Sequence, residues 1–182
     1  MNKLFINLVK PILILILTIG VCMQIEANDN LLLMELKSGN VTIEMKPEIA
    51  PNHVKRIKKL VREKFYDGLK FHRAIDGFMA QTGDPKGDGT GGSGQNIPAE
   101  FNSLLHIRGT VSIARAQDPD SADSQFFICF QKSSFLDGQY TAWGQVIEGM
   151  EFVDKIKRGS GSNGMVNDPD KIISMKLAKE DN

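Results

Sequence analysis

The sequence predicts a mainly β fold, an antiparallel barrel with helices across its open ends, in a single domain. Three observations predict it. Short apolar runs recur between turn residues, only two segments carry helical periodicity, and 182 residues at 41% hydrophobic content suffice for one well-buried core.

Leu31 to Leu36 is the first run, and Ser38, Gly39 and Asn40 separate it from Val41 to Lys46, where Val41, Ile43 and Met45 share one face. The pair reads as a β-hairpin closed by Pro47. From Pro51 onward Val54, Ile57, Leu60, Val61 and Phe65 recur at helical spacing until Asp67 and Gly68 end the segment. Proline suits the first turn because its missing N–H is not needed there. Lys55, Arg56, Lys58, Lys59, Arg62 and Lys64 read as the solvated face of this helix. Leu69 to Ile75 alternates as a strand, and Gly77 begins a turn into Phe78 to Gln81. Residues 82–108, rich in glycine and holding Pro85 and Pro98, read as a long irregular loop. Thr110 to Ala114, Gln125 to Phe130 and Tyr140 to Ile147 are further strands. Glu148 and Gly149 then lead to a second short helix with Phe152, Val153 and Ile156 inward, and Ile172 to Leu177 is the last strand. The count is about six or seven strands.

Residues 1–27 have a separate character. Lys3 and Lys10 precede an apolar run from Pro11 to Met23, shorter than the roughly 20 residues of a membrane span, and Ala27 offers a small residue for cleavage. They read as a signal peptide for export to a periplasm, followed by a folded domain over 28–182. The alternative is an uncleaved membrane anchor. Lipidation at Cys22 is disfavoured by Val21, which stands where a small residue is expected. Cleavage after Ala27 removes Cys22 and leaves Cys129 alone among phenylalanines, a buried structural thiol without a disulfide partner.

Charge and motif spacing exclude several chemistries. Lys+Arg and Asp+Glu are both 22, so no excess positive field is available for nucleic acid. Gly87 to Gly92 fits G-x-G-x-x-G formally, but no apolar strand feeds it and no helix follows. His53, His72 and His106 lie in separate segments without metal-ligand spacing, and no cofactor is expected. A triad of Ser124, His72 and Asp84 lacks a nucleophile elbow, and His72 reads as a strand residue with a local hydrogen bond.

What remains is a set of apolar and non-titrating polar residues in two dense motifs. Phe71 to Asp84 reads F-H-R-A-I-D-G-F-M-A-Q-T-G-D, and Ser124 to Ile128 reads S-Q-F-F-I. Both resemble the signatures of the cyclophilin-type peptidyl-prolyl cis/trans isomerases, over a stretch from about Leu31 to Leu177. The resemblance implies a closed eight-stranded antiparallel barrel capped by two helices, and a substrate that is an X-Pro bond in another polypeptide. It implies Arg73 as the catalytic residue and Phe78, Met79, Phe127 and Leu136 as the proline pocket. Gln81 and Gln125 become hydrogen-bonding groups, and Ala114 and Arg115 backbone contacts to substrate. Phe135 stands where the best-known eukaryotic members often have tryptophan, and Tyr140 where they have histidine. Phe135 keeps an aromatic wall without an indole N–H, so weak cyclosporin binding with retained activity is expected, in the manner of the bacterial branch.

The reaction suits these residue types. Amide rotation faces a barrier of about 18–20 kcal/mol and breaks no bond, so it needs no nucleophile and no general base. It needs a fixed donor toward a prolyl nitrogen that becomes basic as the amide twists, and arginine stays protonated at any working pH. Alternation places His72 and Arg73 on opposite faces of a strand without deciding which one faces substrate. A proline-segment-binding chaperone with little turnover is the alternative function, and a monomer is the expected state.

Overall fold

The computed structural model describes residues 29–179; the proposed signal peptide lies outside them. Eight strands form one antiparallel sheet: β1 (Leu31–Leu36), β2 (Gly39–Met45), β3 (Arg73–Ile75), β4 (Met79–Thr82), β5 (Thr110–Ile113), β6 (Phe126–Cys129), β7 (Ala142–Glu148) and β8 (Ile172–Leu177). Their order is β3-β4-β6-β5-β7-β2-β1-β8. Helix α1 (Pro51–Arg62) packs on this sheet, and α2 (Met150–Val153) is a single turn.

The sheet is not the closed barrel that was expected. It is an open, strongly curled half-barrel whose ends, β3 and β8, share no ladder. The reason lies in the short β3. The loop 159–166 occupies its outer edge: Ala74 N–H donates to Gly164 O at 2.8 Å, and Gly159 and Val166 N–H donate to Ala74 and His72 carbonyls. Residues 69–71, expected as part of a strand, and Gly68 before them meet the start of β8 through single bonds and one isolated bridge, Lys70 to Lys171. Gly164 is required in that loop, because at φ +69° a Cβ would run into Ile75.

Alternation divides the side chains between two clusters. Phe126 and Ile128 of β6 enter the main core with Leu32, Met34, Ile43, Ile57, Tyr66 and Trp143. Phe126 meets Trp143 and Tyr66 edge-on at 5.7 and 5.5 Å. Phe127 and Cys129 point the other way and join Met79 and Leu136 in a smaller cluster with Phe78, Ala114 and Tyr140 against it. That second cluster is the floor of the site.

Helix α1 buries Val54, Ile57, Leu60 and Val61 as its periodicity predicts. Its first turn has no local side-chain cap. Glu100 caps it from the long loop, accepting from the Asn52 and His53 backbone N–H groups at 3.0 Å each. Arg56 corrects the reading of a wholly solvated basic face. It is buried, donates to Gln95 and Ser93, and lies 3.8 Å from Asp123, tying the helix to the loop. The second helix is shorter than expected, and Ile156 is buried beyond its end.

Candidate active site

Register assembles the site. Arg73 pairs with Gln81, Gln81 with Phe127, and Phe127 with Ser112, so one row crosses β3, β4, β6 and β5. A second row joins Ile75, Met79 and Cys129. The face of β3 that alternation left undecided is thereby settled: Arg73 stands on the same side as Phe127.

A groove of about 570 Å³ lies over these rows. It is lined by ten of the eleven expected residues: Arg73, Phe78, Met79, Gln81, Ala114, Arg115, Phe127, Phe135, Leu136 and Tyr140. Gln125 lies next door, in a depression of about 300 Å³ that shares Gln81, Gly89, Ala114 and Arg115 with the groove. Asp88, Gly89, Gln139 and Met165 also line the groove and were missed, and His72, weighed against Arg73 but given no role, lines it as well. Met165 carried no signal in the sequence, since it reaches β3 only through the loop that seals its edge.

The guanidinium of Arg73 is held from two sides. Nε donates to Asn163 O at 2.7 Å, and Nη1 to Gln81 Oε1 at 3.1 Å. The Gln81 amide is fixed in turn, its Nε2 donating to Gln125 Oε1 at 2.8 Å. Gln125 Nε2 donates to the Gly89 and Gly91 carbonyls at 3.0 and 2.7 Å. Two carbonyls of the glycine loop thus orient two amides in series and present an acceptor to the arginine. Nη2 has no partner among the described residues. Burial lowers the Arg73 pKa, but a guanidinium so placed stays charged.

The apolar floor is formed by Met79, Phe127 and Leu136, each at most 5% exposed. Phe78 and Phe135 form a tilted pair at 5.2 Å on the rim, where Phe135 is 64% exposed. Tyr140 meets Phe127 edge-on at 5.9 Å and carries the Arg115 guanidinium 4.6 Å over its ring. Below the floor His106 stacks on Phe127 and bridges Asp137 at 2.9 Å and Ser112 at 3.1 Å, a support that sequence reasoning missed. The Ala114 N–H is taken up by the Gln125 carbonyl, so any backbone contact from Ala114 to a ligand uses its carbonyl.

Nucleophilic chemistry has no footing in these residues. The Ser124 hydroxyl donates to Gly83 O, and Cys129 is fully buried with its thiol pushed up to about 12 by desolvation. Burial raises the Asp84 pKa, yet the loop N–H groups of Lys86, Gly89 and Asp88 that it accepts outweigh this and hold it below the usual range. His72 does not make its expected hydrogen bond. It is buried, neither ring nitrogen has a partner of hydrogen-bond geometry among the described residues, and desolvation lowers its pKa against a smaller opposing effect of Asp84 and the Lys70 backbone, whose carbonyl accepts from the Thr82 hydroxyl.

Residues 31–177 match the sequence profile of the cyclophilin type peptidyl-prolyl cis-trans isomerase/CLD family. The chain belongs to the cyclophilin family. This cyclophilin is 52% identical over 176 residues to a probable peptidyl-prolyl cis-trans isomerase of Brucella suis biovar 1 (strain 1330), an alignment covering 88% of this chain and 90% of that protein. It is 39% identical over 150 residues to a peptidyl-prolyl cis-trans isomerase of Synechococcus elongatus, covering 81% and 96%. The crystal structure of a cyclophilin from Hirschia baltica superposes with a TM-score of 0.74 at 31% identity, over 82% of this chain and 74% of that one. A cyclophilin type peptidyl-prolyl cis-trans isomerase of Cryptosporidium parvum, solved in the presence of the dipeptide Ala-Pro, gives 0.73 at 27% identity over 81% and 98%. The activity of this cyclophilin is peptidyl-prolyl cis–trans isomerisation.

Proposed function

We propose that this isomerase acts on X-Pro bonds of unfolded or flexible client polypeptides, with Arg73 as the catalytic residue. The observation that carries this reading is the Gln125–Gln81–Arg73 chain, which holds a charged donor beside an apolar floor. A prolyl ring seats on Met79, Phe127 and Leu136, and the planar amide lies toward Arg73. As the C–N bond twists, the nitrogen lone pair leaves the carbonyl and becomes an acceptor. A donor fixed there stabilises the twisted state and not the planar one, which is the condition for a lower barrier. A charged hydrogen bond contributes about 1.5–3 kcal/mol, roughly ten- to 150-fold in rate. Exclusion of water by the floor and contacts from Gln81 supply the rest.

The clients are met outside the cytoplasm, after residues 1–27 direct export to a periplasm, and the domain works as a monomer. The basic, then apolar, then small-residue order of that segment supports this reading. Cyclosporin binds weakly, because exposed Phe135 offers a ring without an N–H donor.

A protease-coupled proline-peptide assay on the wild type and Arg73→Ala tests the catalytic assignment. The expected loss is about ten- to 150-fold in kcat/KM. Equal rates would eliminate it and favour a proline-binding chaperone. N-terminal sequencing of exported protein tests the localisation: a chain beginning near Asn28 supports it, and one beginning at Met1 in the membrane fraction overturns it.

A further inference from the structure

Three depressions run into one another on this cyclophilin. The groove over Arg73 shares Gln81 and Arg115 with the depression beside Gln125, and that depression shares Asn96 with a third, of about 530 Å³, between α1 and residues 95–98. Lys55, Lys59 and Arg62 line one wall of the third, and Gln95, Asn96 and Pro98 the other.

Its charge is one-sided. Residues 51–64 carry six Lys and Arg (Lys55, Arg56, Lys58, Lys59, Arg62, Lys64) and a single acid, Glu63, although the whole chain has net charge zero. Lys55, Lys59 and Arg62 stand four and three residues apart, so they share the solvent face of the helix. Asp123 lies near the buried Arg56, and its carboxylate takes the part of that charge facing the loop. Lys59 reaches Glu63 only at 3.9 Å, with both side chains more than half exposed. Lys55 is exposed and makes no ion pair among the described residues. At Lys55 and Lys59 the field of this wall is therefore open to an outside anion.

We propose that this cationic groove is an exosite for acidic segments of the same client chains whose prolyl bond lies at Arg73. The proposal rests on the prolyl reading of the first groove and names the class of client that it favours. Concavity, side-chain amides on the far wall and continuity through Asn96 fit an extended polypeptide at about 3.3 Å per residue. A flat lipid surface would reach the helix but not the groove.

The test uses the full chain and chromogenic X-Pro peptides joined, through a graded set of flexible spacers at either end, to a run of glutamates or of glutamines. For glutamates at one end, kcat/KM rises about five- to tenfold through KM at low ionic strength, and salt abolishes the gain. Lys55→Gln/Lys59→Gln turns both peptides over alike and keeps the wild-type rate on the glutamine peptide. Equal turnover of glutamate and glutamine peptides by the wild type, at every spacer and both ends, overturns the proposal. So does a glutamate advantage that survives in the double variant. Preference for phosphatidylglycerol over phosphatidylcholine vesicles, lost in the double variant while the peptides stay equal, assigns the face to lipid instead. Turnover of the glutamine peptide reports on the prolyl reading separately.

Discussion

Replacing Gln81 by leucine removes the acceptor for Arg73 Nη1 and leaves the residue's packing volume nearly intact. The lost bond is 3.1 Å long and charged at the donor, so its contribution is about 1.5–3 kcal/mol. Asn163 O still holds Nε at 2.7 Å, which keeps the arginine in the groove but lets its outer nitrogens swing. Only the part of that energy that orients Nη2 in the twisted state is lost from the rate, so kcat falls by about ten- to thirtyfold with KM little changed. Gln81→Glu separates orientation from mere acceptance. Its carboxylate accepts well from Arg73 but sets a second oxygen against Gln125 Oε1, which now accepts from Gln81 Nε2 at 2.8 Å. Its kcat therefore also falls, although an acceptor for Arg73 is kept. A protease-coupled assay with a proline peptide measures both. Gln81→Leu within twofold of wild type would refute the reasoning.

Acid destabilises the domain in two stages. Burial depresses the His53 and His72 pKa values, so below about 6.5 the unfolded chain binds protons that the folded one refuses, and stability falls as pH drops from 7 to 5. Burial of Glu100 is outweighed by its bonds to His53, so its folded pKa is depressed as well; its contribution is present above about 4.3 and is lost as pH falls through the folded value. Thermal melts from pH 8 to 3 check both stages, and a flat Tm between 7 and 5 contradicts the first. Arg56→Ala leaves the loop carboxylate of Asp123 without its cation and costs about 3 kcal/mol in urea unfolding, whereas Lys55→Ala, one position away and exposed, changes stability by less than about 0.5. Cys129 resists thiol reagents in the native state and reacts fully in denaturant, because its thiol is buried and held near 12; rapid native labelling by a chromogenic disulfide refutes that.

The hairpin, α1 and the last strand were legible because their apolar residues keep one period over several positions, as Val41, Ile43 and Met45 do against the core. In the sequence β4 reads only as the segment that the Gly77 turn leads into. All but one of its four residues are buried, so Met79 to Thr82 shows no polar–apolar alternation. Closure failed as an expectation for a reason no local pattern carries: which segment bonds the edge of β3 is decided by the loop 159–166, some ninety residues away. The eleven site residues came from motif likeness, and the groove brings ten of them together. Asn163 and His106 stayed invisible because each acts through a contact distant in sequence, one by a backbone carbonyl whose side chain is irrelevant. Arg56 misled because helical spacing places it beside solvated lysines, and only the folded loop supplies Asp123.

The three residues of β3 carry Arg73 at one open end of the sheet, held outward by a loop and inward by β4 alone. Hydrogen exchange should therefore be graded across the sheet, slow at Ile128 in the centre and faster at Ala74, whose amide bonds to the loop carbonyl of Gly164 and not to a strand. Fraying of that rim would carry the guanidinium away from the floor while β5, β6 and β7 stay zipped. Opening of the site and loss of core contacts are thus coupled at this one strand, because Ala74, between Arg73 and Ile75, is wholly buried in the main core.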